Sequence, residues 1–266
     1  MGSAHIHGIE TVYDDVGGGP AVVLLHGYPF DRSMWREQIE FLSANGFRAI
    51  VPDLRGLGET KASGVITTMD EMARDVASLL DELKIDRGVI CGLSMGGYVA
   101  FDFEHLFPSR VRALVLAGTR APADNEQEKL AREQQAQRML AKGMDGIPEA
   151  TLPKLLASRT LSDKPEVVAR VREMIVRSDP RGAAAAQRGM AVRRDYVGDL
   201  PNISVPTLIL VGREDPIRPV ADAGFMHRLI PNSRLEIIED AAHLTNMEQP
   251  EVFNDTLLTF LQRLNQ

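Results

Sequence analysis

Gly88-Val89-Ile90-Cys91-Gly92-Leu93-Ser94-Met95-Gly96-Gly97-Tyr98-Val99-Ala100 is the stretch of sequence that decides the fold. Its apolar first half is typical of a buried strand, and the run that begins at Met95 is typical of a helix. Between the two stands Gly-x-Ser-x-Gly, centred on Ser94. A turn this tight strains the central residue and leaves no room for side chains at the flanking glycines. We therefore expect the Ser94 hydroxyl to lie clear of the sheet at a helix N-terminus, where the helix dipole favours a developing negative charge.

The composition bounds the class of protein. The chain has 266 residues, of which 44% are apolar and 25% charged, and these values suit a soluble α/β domain with an inserted segment. A net charge of −7 without any block of Lys and Arg argues against a nucleic-acid partner. No secretory signal and no apolar run of about 18 residues is seen, so no membrane partner is expected. The single cysteine, Cys91, suits a reducing compartment, and we expect a cytoplasmic protein.

Apolar runs and amphipathic segments alternate along most of the chain. Strands are predicted at residues 9–16, 21–25, 47–51, 88–92, 111–116, 206–212 and 234–238. Helices are predicted at residues 33–45, 68–83, 95–107, 220–230 and 250–264, and residues 1–8 are predicted to be an irregular tail. Strands that alternate with helices favour right-handed crossovers and a parallel sheet.

Three motifs together resemble the α/β-hydrolase family. They are the turn at Ser94, the segment His26-Gly27-Tyr28-Pro29 after the second predicted strand, and Asp53-Leu54-Arg55-Gly56-Leu57-Gly58-Glu59-Thr60 after the third. The resemblance implies the α/β-hydrolase fold, an α/β architecture with a mostly parallel central sheet, helices on both faces and an inserted helical cap. It also implies that His26 is a structural residue beside the oxyanion loop, the alternative being a catalytic base.

The alternation of predicted strands and helices stops at residues 120–198, which contain helical segments broken by Gly and Pro and no predicted buried strand. By resemblance they are the helical cap that covers the serine, and residues 1–119 and 199–266 form the core domain. The alternative is a set of surface helices away from the serine. The pair Arg193-Arg194, near the end of this segment, is predicted to be exposed to solvent.

A serine nucleophile needs an adjacent base, and the base needs a third group to orient it. The family order is Ser, then Asp or Glu, then His, which here selects Ser94, Asp215 and His243. Asp215 and His243 each follow a predicted strand, and the carboxyl ends of parallel strands meet at one edge of a sheet. Glu214 is the alternative acid, but Gly212-Arg213-Glu214-Asp215 matches the family's G-x-x-D pattern.

The resemblance extends to the oxyanion hole and the substrate pocket. The backbone N–H groups of Tyr28 and Met95 are the expected oxyanion donors. Candidate pocket residues are Trp35, Met139, Met144 and Leu155. His5 and His7 have no third ligand nearby in the sequence, so no metal site is predicted.

The segments around Ser94 and His26 are most similar to cofactor-free carboxylesterases and enol-lactone hydrolases. The resemblance implies hydrolysis of a small-molecule ester or lactone through an acyl-enzyme, with no metal or organic cofactor. Alternatives on the same residues are C–C bond hydrolysis and peroxyacid formation. A non-catalytic, ligand-binding member of the fold is a further alternative. The sequence leaves open the acyl and alcohol groups and whether the protein is a homo-oligomer.

Overall fold

The computed structural model describes residues 1–62 and 64–264, and within them one eight-stranded sheet carries the fold. The strands are β1 (Gly2–Ile6), β2 (Ile9–Gly17), β3 (Ala21–Leu25), β4 (Arg48–Pro52), β5 (Gly88–Leu93), β6 (Val111–Ala117), β7 (Thr207–Gly212) and β8 (Ser233–Ile238). The helices are α1 (Arg36–Ala44), α2 (Met69–Glu82), α3 (Met95–Leu106), α4 (Glu126–Lys142), α5 (Ile147–Leu155), α6 (Ser158–Asp163), α7 (Pro165–Arg177), α8 (Pro180–Ala191), α9 (Val220–Leu229), α10 (Thr245–Glu248) and α11 (Pro250–Arg263). Short 3-10 helices lie at Arg32–Trp35, Pro108–Arg110 and Leu200–Asn202.

The spatial order of the strands is β1-β2-β4-β3-β5-β6-β7-β8. The pairs β1–β2 and β2–β4 are antiparallel, and every pair from β4 to β8 is parallel. The predicted mostly parallel sheet is confirmed. Strand β5, which leads into Ser94, lies near the middle of the sheet, so the serine emerges at the centre of the carboxyl edge.

Both faces of the sheet are buried, which explains the continuous apolar runs of the strands. In β3, Val22 and Leu24 pack on one side with residues of α1 and α11, while Val23 and Leu25 pack on the other with residues of α2, α3 and α9. Helix α2 begins with a capping box, in which Thr68 accepts from the Glu71 amide and the Glu71 carboxylate accepts from the Thr68 amide. The expected helices on both faces are confirmed.

The N-terminal segment is a strand, so the prediction of an irregular tail was wrong. Strand β1 pairs with β2 through the register Ile6↔Ile9, and the two-residue turn consists of His7 and Gly8, both at positive φ. Positive φ at both positions matches the twist of a hairpin. The sequence signal was weak because β1 lies at the sheet edge and only Ile6 is buried.

Helices α4 to α8 lie between β6 and β7 and are called the insertion (residues 120–198). Helix α8 packs directly on core backbone, because a Cβ at Gly182 would lie 1.7 Å from the Gly56 carbonyl oxygen. A Cβ at Gly189 would lie 1.6 Å from the carbonyl oxygen of Thr67. The Thr67 amide also donates to the Ala185 carbonyl at 3.1 Å. The insertion is therefore seated tightly on the core along α8.

Across residues 1–62 and 64–264, no helix has the length and apolar content needed to cross a bilayer.

Candidate active site

Ser94 occupies a strained turn between β5 and α3, with φ +55° and ψ −109°. A Cβ at Gly92 would lie 2.1 Å from the Gly96 carbonyl oxygen, and a Cβ at Gly96 would lie 2.1 Å from the carbonyl oxygen of Leu25. Both distances are impossible for a real side chain, which is why the two outer positions of the motif are glycine. Strain of this kind persists only where the surroundings enforce it, and it is common at functional sites.

Neighbouring strands hold this turn in place. The Ser94 amide donates to the Ala117 carbonyl at 2.8 Å, and the Thr119 hydroxyl donates to the Ser94 carbonyl at 2.9 Å. A Cβ at Gly97 would lie 2.5 Å from that same Thr119 hydroxyl. The end of β6 therefore fixes the backbone of Ser94 and the start of α3.

Asp215 and His243, predicted from distant parts of the sequence, lie in contact. His243 Nδ1 is 2.7 Å from Asp215 Oδ2, and both residues are buried. The other carboxylate oxygen, Oδ1, accepts from the amides of Ile217 at 2.8 Å and Arg218 at 2.9 Å. Because a carboxylate only accepts, Nδ1 carries the proton and Nε2 is left as the acceptor. The alternative acid, Glu214, is exposed to solvent.

Ser94 and His243 line one cavity of about 330 Å³ between the carboxyl edge of the sheet and the insertion. Its other lining residues are Tyr28, Pro29, Tyr98, Arg132, Gln135, Arg138, Met139, Ile147, Ala150, Thr151, Lys154, Leu155, Gln187, Met190, Ile217 and Arg218. In the described part of the chain no hydrogen bond joins the Ser94 hydroxyl to His243, and such bonds are often long before substrate binds. A larger cavity of about 690 Å³, between Gly8 and Arg188, contains none of the three predicted residues.

The predicted pocket residues divide into two pairs. Met139 and Leu155 line the cavity, whereas Trp35 and Met144 do not, and for these two the prediction was wrong. Trp35 is fully buried in the core, with its ring centroid 5.9 Å from that of Phe253. Met144 is also buried, in the apolar cluster that joins the insertion to the core. An apolar residue in a helix predicts burial, but it does not predict which buried space the side chain enters.

The backbone amides of Tyr28 and Met95, the two expected oxyanion donors, both belong to the turns that follow strands of the sheet. Tyr28 follows Gly27 directly after β3, and its amide makes no hydrogen bond within the described ranges 1–62 and 64–264. Met95 is the first residue of α3, where N–H groups lack partners within the helix. The Tyr28 hydroxyl donates to Met139 Sδ at 3.0 Å, so its side chain reaches the insertion.

His26 has a structural role, as expected. Its Nδ1 donates to the Gly27 carbonyl at 2.9 Å, and its Nε2 accepts from the Leu54 amide at 2.9 Å. Burial lowers the pKa of His26, more than the nearby Asp53 charge and the Gly27 hydrogen bond raise it. A neutral ring with both nitrogens occupied joins the oxyanion loop to the loop after β4 and has no nitrogen free for catalysis.

Sequence reasoning missed a cationic group at the cavity: Arg132, Arg138, Lys154 and Arg218 all line it. In the described residues the cavity lining contains no Asp or Glu, although the whole chain carries a net charge of −7. Arg132 pairs with the buried carboxylate of Asp124. Arg218 has no carboxylate within ion-pair distance among the described residues, and its guanidinium donates to the Tyr98 hydroxyl at 2.6 Å.

Tyr98 is a further residue of the cavity that the sequence analysis missed. It is buried in the first turn of α3, which starts directly after Ser94, and it lines the same cavity as Ser94. Arg193 lies over its ring at 4.1 Å and pairs with Asp124 at 2.6 Å, so the prediction of an exposed Arg193 was wrong. Burial raises the pKa of Tyr98, but the charges of Arg218, Arg193 and Arg132 outweigh burial and lower it overall.

Within residues 1–62 and 64–264, no three His, Cys, Asp or Glu side chains are grouped as metal ligands would be. The residues described as lining the cavity include no glycine-rich loop.

Comparison with known proteins decides the family. The family model described as alpha/beta hydrolase fold matches residues 20–250. The chain belongs to the α/β-hydrolase family. It is 30% identical to 3-oxoadipate enol-lactonase 2 of Acinetobacter baylyi over 92% of this chain and 90% of the relative.

Solved structures agree with that assignment. A thermophilic esterase from Thermogutta terrifontis, solved with malate bound, has a TM-score of 0.95 and 42% identity over 97% of this chain and 95% of the esterase. The enol-lactonase from Burkholderia xenovorans has a TM-score of 0.91 and 29% identity over 98% of this chain and all of the other. The names of these α/β-hydrolase relatives support an enzyme that hydrolyses carboxylic esters or lactones.

Proposed function

We propose that this α/β-hydrolase is a serine hydrolase that cleaves a carboxylic ester or lactone through an acyl-enzyme. The observation that carries the proposal is the 2.7 Å contact of His243 Nδ1 with Asp215, in a cavity that His243 shares with Ser94. The protonated Nδ1 leaves Nε2 free to take the serine proton. The relatives named esterase and enol-lactonase support the same class of reaction.

In the proposed reaction, the Ser94 oxygen attacks the substrate carbonyl while its proton moves to His243 Nε2. Asp215 holds the imidazole in the required tautomer and stabilises the imidazolium that forms. The amides of Tyr28 and Met95 stabilise the oxyanion of the tetrahedral intermediate. His243 then gives the proton to the leaving alkoxide, and the acyl group remains on Ser94. A water molecule, deprotonated by the same histidine, then attacks the acyl carbonyl, the bond to the Ser94 oxygen breaks, the histidine returns the proton to that oxygen, and the acid is released.

We further propose that the preferred substrate carries a carboxylate besides the scissile ester. The cationic lining and the absence of acidic side chains in the described cavity favour an anion over a neutral ligand. Arg218 is the best placed of the cationic side chains, because it is half-buried beside the buried Tyr98 and has no carboxylate partner in the described residues, whereas Arg138 and Lys154 are exposed. The Thermogutta terrifontis esterase was solved with malate, itself a dicarboxylate, which supports the same proposal.

The insertion is proposed to be the cap that covers the serine and selects the substrate. Met139 and Leu155 come from α4 and α5 and supply apolar lining to the cavity that Ser94 also lines. The cavity volume of about 330 Å³ is at the small end for ligand pockets. A short or compact acyl group therefore fits better than a long aliphatic chain.

The test of the proposed function is Ser94→Ala. Turnover of a short aryl ester should fall by about 10⁴-fold or more, because nucleophile and base act as a unit. A fluorophosphonate probe should label the parent protein once and leave the variant unlabelled, as read by intact-protein mass.

The control is Ser109→Ala, which changes an exposed serine and should behave as the parent does. Ester turnover by Ser94→Ala within tenfold of the parent would remove the proposal.

A further inference from the structure

Glu248 has a fully buried carboxylate, and the proposed reaction gives this side chain no role. It ends α10, five residues after His243, and its residue exposure is 0%. Burying a carboxylate is costly unless hydrogen bonds satisfy it. The partners of Glu248 therefore indicate what its burial achieves.

The two oxygens of Glu248 bind two different parts of the protein. Oε1 accepts from the amide of Ala242 at 2.8 Å, and Ala242 directly precedes His243. Oε2 accepts from the amide of Ala157 at 2.6 Å and from the hydroxyl of Thr160 at 2.8 Å, both in the insertion. One side chain thus joins the loop that carries the histidine to the segment between α5 and α6.

A second set of hydrogen bonds also joins the loop that carries His243 to the insertion. The carbonyl of Leu155, a residue of the cavity wall, accepts from the amides of His243 at 3.1 Å and Leu244 at 3.2 Å. The Lys164 ammonium of the insertion donates to the backbone carbonyl of Glu248. The backbone on both sides of the catalytic imidazole is therefore bonded to the insertion and to Glu248.

The groups that donate to the Glu248 carboxylate are backbone amides and the Thr160 hydroxyl, all of them neutral. No Lys, Arg or His forms an ion pair with its side chain among the described residues, so the carboxylate does not serve to neutralise a cation. Burial raises the pKa of Glu248, more than its hydrogen bonds from Ala157, Thr160 and Ala242 lower it. What a carboxylate offers here is two oxygens that both accept, one toward each segment.

We propose that Glu248 is a positioning residue that sets the place of His243 relative to the insertion. This inference rests on the proposed function, in which His243 is the general base. Through Glu248 and the Leu155 carbonyl, the wall of the substrate cavity and the base share one backbone scaffold. A displacement of the insertion moves the imidazole, and a misplacement of about 1 Å is enough to cost about 100-fold in rate.

The testing variant is Glu248→Gln, which has the same shape but replaces one accepting oxygen with an NH₂ group. That group cannot accept from Ala242 or from Ala157, so one of the two segments loses its bond. We expect kcat for a short neutral aryl ester to fall about 10- to 100-fold, with KM changed by less than about threefold because ester contacts remain. Thr160→Val removes one of two insertion-side donors and should lower kcat by only a few-fold.

The matched control for loss of stability is Asp75→Asn. Asp75 is a buried carboxylate that pairs with Arg55 at 2.6 Å and with His7 at 2.9 Å, and none of these three residues is among those described as lining the cavity of His243. All variants are assayed at a temperature where circular dichroism shows full folding. Asp75→Asn should lower the melting temperature and leave kcat as in the parent, which separates positioning from general destabilisation.

A spectroscopic readout completes the test. The His243 Nδ1 proton bound to Asp215 should give a far-downfield proton resonance in the parent, and Glu248→Gln should shift or broaden it, while Asp75→Asn leaves it unchanged. A folded Glu248→Gln variant with parental kcat and an unmoved resonance overturns the inference. If Ser94→Ala retains activity, it is the proposed function that fails, whatever Glu248→Gln does.

Discussion

The cavity has two walls that are built in different ways. On the core side, Ser94 and His243 are fixed by backbone: glycines without space for a methyl group, amides that bind Asp215, and strand ends that hold the turn. On the insertion side, Met139 and Leu155 present flexible side chains from helices. A fixed wall suits chemistry, which tolerates little displacement. An adaptable wall suits selection among substrates, because side chains there change the shape of the cavity without moving the reacting groups.

The insertion itself repeats this contrast. Helix α8 lies against core backbone so closely that Gly182 and Gly189 have no alternative residue. Helices α4 and α5 instead contribute most of the insertion residues that line the cavity. The insertion therefore packs on core backbone at α8, while α4 and α5 supply most of the insertion side chains that shape the cavity. The following predictions test whether the two walls differ as described, from the largest expected effect to the smallest.

Asp215→Asn tests the fixed wall. Asn still accepts from the amides of Ile217 and Arg218 through its oxygen, so the loop should keep its structure. Its NH₂ group then faces His243 Nδ1 and favours the wrong tautomer. We expect kcat to fall about 10²- to 10⁴-fold with the melting temperature close to that of the parent. Steady-state kinetics and thermal unfolding measure the two quantities.

The control for that variant is Glu214→Gln, one residue away and exposed. It should retain parental kcat. If Glu214→Gln is the damaging change and Asp215→Asn is nearly silent, the acid has been assigned to the wrong residue.

Arg218→Gln tests the proposed anionic preference. Arg218 lies in the same core loop as Asp215, so the proposed anion site belongs to the fixed wall. A hydrogen bond to a charged group is worth about 1.5–3 kcal/mol, so kcat/KM for an aryl hemisuccinate should fall about 10- to 100-fold. For the matched neutral aryl butyrate the change should be less than about threefold. The quantity to compare between the parent and the variant is the ratio of kcat/KM for the hemisuccinate to kcat/KM for the butyrate.

Arg74→Gln, an exposed arginine on α2, serves as the charge-matched control and should leave the ratio unchanged. If Arg218→Gln lowers kcat/KM equally for both substrates, the substitution acts by disturbing Tyr98 or the Asp215 loop, and the proposal of an anion site is contradicted.

The core was predictable from sequence, because long apolar strands and the turn at Ser94 depend on local patterns. Asp215 and His243 were predictable for a related reason: the ends of parallel strands meet at one edge, so topology supplies the contact. Strand β1 was missed because an edge strand with one buried residue has almost no hydrophobic pattern. Arg218 and Glu248 were missed because their roles depend on partners 88 to 120 residues away, and no local spacing encodes such a distance.

Met139 and Met144 show what the sequence cannot predict about the insertion side of the cavity, and they provide the last test. The two residues are five apart, both are buried in the insertion, and the sequence gives no reason to separate them. In the structure Met139 lines the cavity and accepts a hydrogen bond from the Tyr28 hydroxyl, whereas Met144 packs between the insertion and the core.

Truncation should therefore affect the two positions differently. A Met→Ala change in a core costs about 2–5 kcal/mol of stability, and this loss is expected in full at Met144. At Met139 the new space joins the cavity, and a hexanoate chain that buries about one further methylene there gains about 1–3 kcal/mol, which is about tenfold near the lower end. Met139→Ala should thus shift the preference between an acetate and a hexanoate ester by roughly tenfold toward the longer chain, mainly in kcat/KM. Met144→Ala should lower the melting temperature and leave that preference alone. The measurement is kcat/KM of both variants for a series of aryl esters of increasing acyl length. If Met144→Ala changes the chain-length preference, or if neither variant changes it, the core loop at Tyr28 and Pro29 selects the substrate and the insertion only covers it.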